Sequence, residues 1–137
     1  MQLNTNHYVT RLQVRPDDID LFRHVHSSKY LDYVLAARYD QMRRCYGCSM
    51  DEFLQKGFGW VVASTQLNFK RPLSLDEQFD VETWIEKMER NTILVDFTLK
   101  NLQGKTCCRG WANYAFVDIK TGRSSKIPEW VIQKYSL

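Results

Sequence analysis

Hydrophobic and polar residues alternate along much of the second half of this 137-residue chain. Over 78–88, Phe79, Val81, Thr83 and Ile85 interleave with Asp80, Glu82, Trp84 and Glu86, and 92–100 and 106–118 follow the same rule. A period of two marks strands with one face buried. Asn101-Leu102-Gln103-Gly104 and Lys120-Thr121-Gly122-Arg123 read as turns between them. Residues 7–15 alternate less perfectly and stop at Pro16, and Trp60–Lys70 reads as a strand ending at Arg71-Pro72, after a Gly57-Phe58-Gly59 turn.

Between the first two strands the pattern lengthens to helical spacing. Ser27 and Ser28 are candidate N-caps for a helix running to about Tyr46, before Gly47. Lys29, Asp32, Ala36, Asp40 and Arg43 share one face, and Leu31, Val34, Leu35, Met42 and Cys45 fill the other, wide enough to be largely buried. Arg38 lies within that apolar face: either it finds a carboxylate or carbonyl partner, for which Asp18 in the acidic turn is the candidate, or its stem packs and its head escapes to the edge. Short helices are expected over 50–56 and from Pro128. The order of strand, long helix and four hairpin-linked strands predicts an α+β fold, one antiparallel five-stranded sheet with one buried helix, in a single domain over 1–137.

Composition then narrows the options. The net charge is +3, and its Lys and Arg form no basic stripe, so no nucleic-acid partner is expected. No apolar run approaches the ~20 residues that cross a bilayer, and the polar start lacks a signal-peptide core. A cytoplasmic protein without membrane insertion is therefore expected. Cys45-Tyr46-Gly47-Cys48 closes a helix instead of opening one, and the adjacent Cys107 and Cys108 are poorly spaced for zinc. Four unpaired structural thiols and no metal site follow.

Chemistry concentrates in Asp18-Ile19-Asp20-Leu21-Phe22-Arg23-His24-Val25-His26, just ahead of the long helix. An acid four positions from a histidine stands beside a helix start, where outward N–H groups can hold a developing negative charge. A base next to an oxyanion site suits acyl transfer to water. Val25 and His26 supply candidate N–H donors there.

With Ser27-Ser28-Lys29-Tyr30-Leu31-Asp32-Tyr33 this stretch resembles the D-x-D-x-x-G-H-V-N-N-x-x-Y-L-x-Y signature of hot-dog acyl-CoA thioesterases, the 4-hydroxybenzoyl-CoA thioesterase-like family. Phe69-Lys70-Arg71-Pro72 with the acidic strand Asp80-Val81-Glu82-Thr83 resembles a second family block, and Trp111 to Asp118 with Thr121-Gly122-Arg123 and Pro128 a third. The departures are Arg23 for the usual Gly, His26-Ser27 for Asn-Asn, and Leu35 where many members carry a helix glutamate.

The resemblance implies a hot-dog fold, its sheet wrapped around one long central helix, and hydrolysis of an acyl thioester of coenzyme A or an acyl carrier protein without a cofactor. Asp20 would be base or nucleophile, His24 would orient it or brace the turn, and Gly59 or Trp60 would add an oxyanion N–H. His26 either approaches the thioester or faces solvent. The Arg90-Asn91-Thr92 turn, Lys70 and Arg71 would meet the CoA phosphates. Tyr30, Tyr33, Phe58 and Trp60 are candidates to line an acyl pocket. A homo-oligomer is implied, a dimer or dimer of dimers, with the site between subunits. The alternatives are a non-catalytic acyl-CoA sensor, suggested by Arg23, His26 and Leu35, and a hot-dog hydratase, whose D-x-N-P-x-H and H-F-P-x-x-P motifs are not found.

Overall fold

The computed structural model describes residues 2–137. Its five strands are β1 (Tyr8–Gln13), β2 (Phe58–Phe69), β3 (Gln78–Met88), β4 (Thr92–Asn101) and β5 (Thr106–Asp118). They pair antiparallel in the order β1-β3-β4-β5-β2. The alternation decides which face is buried: Phe79, Val81 and Ile85 of β3 and Val95, Phe97 and Leu99 of β4 are shielded from solvent. Against that face lies α1 (Tyr30–Arg44), giving the hot-dog arrangement of a sheet wrapped around a long helix.

The helix is fastened to β1 and β3 by buried polar groups as well as apolar ones. Gln41 Nε2 donates to Thr10 Oγ1 at 3.1 Å and to the Tyr8 carbonyl at 3.3 Å. The Thr83 hydroxyl donates to Gln41 Oε1, and Tyr33 meets Phe79 edge to face at 5.1 Å. Buried amides and hydroxyls are tolerated here because they satisfy one another.

Two short helices, α2 (Met50–Gln55) and α3 (Glu129–Lys134), flank an aromatic cluster at one end of the sheet. Phe53 is completely buried there, with ring centroids of Trp130, Trp60 and Phe116 at 5.4, 5.9 and 6.1 Å. Burying one such phenylalanine contributes about 1.5–3 kcal/mol, so the start of β2 is firmly anchored.

Two local expectations are corrected. Neither Ser27 nor Ser28 caps α1 directly, since Ser27–Lys29 form a 3₁₀ turn ahead of it. That turn is capped by His26, whose Nδ1 accepts the Ser28 N–H at 3.2 Å, while α1 itself starts after Lys29 without a side-chain cap. The second strand also begins at Phe58, because Gly57 alone takes the left-handed turn conformation (φ 84°), while Phe58 and Gly59 already pair with Asp118 and Val117.

One glycine is demanded by its neighbours. A Cβ on Gly110 of β5 would lie 1.8 Å from the Gln66 carbonyl oxygen of β2, so this pair of strands comes together only around hydrogen. With β5 on its other side, the 12-residue β2 forms an open sheet edge without a single charged residue.

Candidate active site

Asp20 sits in a loop tied down on every side. Its N–H donates to the His24 carbonyl at 2.7 Å, and its own carbonyl accepts from Arg23 N–H at 3.0 Å. Asp20 Oδ1 accepts the backbone N–H groups of Phe22 (2.8 Å) and His24 (3.1 Å). Its Oδ2 has no protein partner among the described residues. A carboxylate clamped through one oxygen keeps the other aimed and available for a proton or an acyl carbon.

The tight turn requires a left-handed residue, and Arg23 supplies it at φ 64° where the family has glycine. The departure keeps the geometry and accepts strain of about 1–2 kcal/mol. His24 contributes through its backbone: its N–H holds Asp20, and its main chain bridges Ser74. The imidazole makes no hydrogen bond among the described residues and lines the cleft beside Asp20.

The expected oxyanion donors change. Val25 N–H donates to the Leu73 carbonyl and His26 N–H to the Asp18 carbonyl, both at 2.8 Å, so neither is available. Ser27 N–H, which the sequence reading passed over, is left without an acceptor at the start of the helical segment. Gly59 is likewise engaged. Phe116 uses its N–H on Asn91 and its carbonyl on Ser125, so the neighbouring Val117 turns both groups toward Gly59 in the antiparallel ladder. The next N–H, that of Trp60, then points to the open edge.

Asp18 is 4% exposed and does not pair with Arg38. Its carboxylate accepts from Tyr33 Oη at 2.7 Å and Arg15 Nε at 2.8 Å. Burial alone would raise its pKa, but the Tyr33 hydroxyl and the Arg15 guanidinium outweigh that and hold it below the usual carboxylate range. Asp18 is thus a strut under the Asp20 loop.

The residues singled out in the sequence fall into two groups. Asp20, His24, Val25, His26, Lys70 and Arg71 border one cleft of about 390 Å³. Lys70 and Arg71 have no carboxylate partner among the described residues, and Arg71 Nη1 donates to the Thr106 carbonyl at 3.2 Å. Gly59, Trp60 and the Arg90-Asn91-Thr92 turn lie at the other end of β2, where Trp60 faces Phe116 and Phe116 N–H donates to Asn91. Trp60 and Phe69 are nine steps apart along β2, roughly 30 Å at about 3.3 Å per step. Within one chain the two groups cannot touch the same thioester carbon.

Beside the second group a cavity of about 220 Å³ opens between α1 and the sheet, lined by Leu35, Met42, Trp60, Val62, Ile93 and Tyr114, with Arg38 in its wall. Of the four aromatics expected around an acyl group, Trp60 borders it. Tyr30 lines the Asp20 cleft, Tyr33 binds Asp18, and Phe58 stacks on Phe116 at 4.9 Å.

The hot-dog sheet thus carries, beside one cleft, a clamped aspartate and the start of a helical segment. The chain belongs to the thioesterase-like superfamily, matching it over residues 14–135, and is a thioester hydrolase. It is 21% identical over 116 residues to the long-chain acyl-CoA thioesterase FadM of Escherichia coli (strain K12), a match covering 84% of this chain and 86% of that one. Its fold is similar to the DHNA-CoA thioesterase of Staphylococcus aureus, with a TM-score of 0.87 and 21% identity over 95% of this chain and 89% of that one. It is also similar to a hypothetical protein of Staphylococcus aureus solved in complex with CoA, with a TM-score of 0.81 and 18% identity over 95% and 82% of the two chains. No helix among the described residues is long and apolar enough to cross a membrane, and none of their His, Cys, Asp and Glu side chains group in threes to hold a metal. The four cysteines are unpaired.

Proposed function

We propose that this protein hydrolyses acyl-CoA thioesters, with Asp20 as general base or nucleophile and Ser27 N–H as oxyanion donor. The observation that carries the reading is the Asp20 carboxylate, fixed through Oδ1 by two backbone N–H groups while Oδ2 is left without a protein partner. The cleft it borders also holds Lys70 and Arg71, cations suited to the phosphates of CoA or of an acyl carrier protein's prosthetic arm. His26 caps the turn ahead of the helix and also borders the cleft, where it can meet the substrate. A cytoplasmic setting suits the unpaired thiols.

The complete site belongs to a homodimer. β2 is long, uncharged and open on one side, the kind of edge that pairs with another strand. Antiparallel pairing of two β2 edges about a two-fold axis sets the Phe69 end of one beside the Phe58 end of the other. Asp20, Lys70 and Arg71 of one protomer then meet the partner's Trp60 and Arg90-Asn91-Thr92. Leu21 (99% exposed) and Phe22 (78%) project beside Asp20 and gain cover in such a pair. A dimer of dimers would extend the same assembly.

Chromatographic release of free CoA from a panel of acyl-CoAs, comparing wild type with Asp20→Asn, tests the reading. The variant keeps an oxygen for the two N–H groups and should fold, yet lose about 10²–10⁴-fold in kcat. Turnover that survives the substitution would move the chemistry to another residue, and tight acyl-CoA binding without turnover in the wild type would make the protein a sensor.

A further inference from the structure

Arg38 is 4% exposed, on the buried side of α1, and has no carboxylate partner. Its Nη1 donates to Thr83 Oγ1 at 3.0 Å and to the Tyr46 hydroxyl at 3.4 Å, and its guanidinium lies 5.1 Å from the Tyr46 ring centroid. From Thr83 the hydrogen bonds run through Gln41 and Thr10 to Asp40, so a carboxylate is reached only across three neutral side chains. The Nε–H and Nη2–H groups find no acceptor among the described residues. These two nitrogens form the side-on fork that matches both oxygens of a carboxylate.

The same cavity collects further unmet polar atoms. The Tyr114 hydroxyl, the Trp60 indole N–H and the Tyr135 hydroxyl are buried without hydrogen-bond partners, and all three residues line it with Arg38. Trp60 and Tyr135 stack with centroids 6.1 Å apart, so the weight falls on Arg38. Burial pushes the Tyr114 hydroxyl up while the Arg38 charge pulls it back, which places the two groups within reach of one electrostatic field. The unpaired Arg38 nitrogens stay open to the cavity instead of being sealed in protein, and a carboxylate is the ligand that pairs with a cation in so apolar a wall.

We infer that Arg38 anchors a carboxylate at the far end of the acyl group, so that the preferred substrates are short acyl-CoAs carrying a terminal acid. The inference rests on reading this cavity as the acyl pocket of the proposed thioesterase. Size points the same way. A cavity of ~150 Å³ holds a benzene, so the volume of about 220 Å³ that one protomer supplies has room for a single ring or a short chain with one carboxylate. The apolar walls hold the methylenes and the Arg38 fork takes the acid. Arg38 is a specificity residue and takes no part in bond breaking.

Adipyl-CoA and hexanoyl-CoA, equal in chain length and differing in the terminal carboxylate, decide the matter. Wild type should prefer adipyl-CoA in kcat/KM by at least ~10²-fold, since a site built around a buried polar group discriminates against a substrate that leaves it unpaired. In Arg38→Met that ratio should fall to about one or invert; being a ratio within one protein, it is insensitive to general loss of activity. If Arg38→Met does not fold, Arg38→Lys, which keeps the charge and loses the fork, should also lose most of the preference. Equal or better turnover of hexanoyl-CoA by wild type, or a wild-type ratio in these variants, overturns the inference. Should neither thioester turn over, calorimetry with adipate monoamide and hexanamide, which carry and lack the terminal carboxylate, reads the pocket alone. Binding of the monoamide that is lost in the Arg38 variant upholds the anchor while the choice of these two thioesters as substrates falls; no preference for the monoamide sinks the anchor as well.

Discussion

At the Phe69 end of β2 the polar groups form a closed set. Asp18 is bound by Tyr33 and Arg15, the N–H groups of Val25 and His26 are spent on carbonyls, and the Asp20 carboxylate is held through one of its oxygens. At the Phe58 end the balance is reversed. There Arg38 keeps one edge of its guanidinium unused, and the hydroxyls of Tyr114 and Tyr135 and the Trp60 indole are buried without partners. A closed network holds a reacting group in one position, whereas an open one in an apolar wall discriminates among ligands. On the proposed reading, positioning falls to one end and selection to the other.

The frame joining the two ends is the most sensitive place to break it. Gly110→Ala forces a methyl group into the Gln66 carbonyl and should prise β2 from β5, costing about 2–4 kcal/mol. Urea denaturation would register it as a lower midpoint, and an unchanged midpoint would refute the close approach. Asp18→Asn tests the closed end more gently. It loses the Arg15 pair and a charged acceptor for Tyr33, so stability at pH 7 should fall by about 1–2 kcal/mol.

The pH dependence carries a definite sign. The folded Asp18 pKa is held below its ordinary value, so its contribution is complete above the unfolded aspartate's pKa of about 3.9. It is lost as pH falls from there through the depressed folded value. Wild type and Asp18→Asn should therefore converge in stability toward low pH, and parallel curves down to pH 2 would contradict the assignment. The smallest effect is expected at Arg23. Arg23→Gly relieves the left-handed strain and should raise stability by about 0.5–1 kcal/mol, with kcat unchanged. A loss of stability there would show that the Arg23 side chain contributes more than its backbone costs.

The sequence reading reached the sheet and its long helix because alternation and helical spacing are local signals. The limits of β3 and β5 coincide with the turns that bound them. It placed the start of β2 two residues late, since glycines on both sides of Phe58 imitate a turn when only Gly57 adopts one. The cap on α1 went to Ser27 and Ser28 because serine is the commoner choice, and a histidine nitrogen capping the turn ahead of α1 carries no distinct pattern. Arg38 stood out as a buried cation, but its true contact, Thr83, lies 45 residues away on β3, and the choice of Asp18 rested on nearness in sequence. Gly110 did leave a signal, a glycine inside an alternating strand, that went unread.

The separation of the two ends along β2 has a genetic consequence. If each site draws Asp20 from one chain and the Arg90 turn from another, a copy damaged only at Asp20 and a copy damaged only at the turn are not equivalent losses. Combined in one dimer, the two lesions fall together in one site and leave the other site whole. Two inactive alleles of this protein can then restore half of a wild-type dimer's activity between them, whereas two alleles hit at the same end cannot.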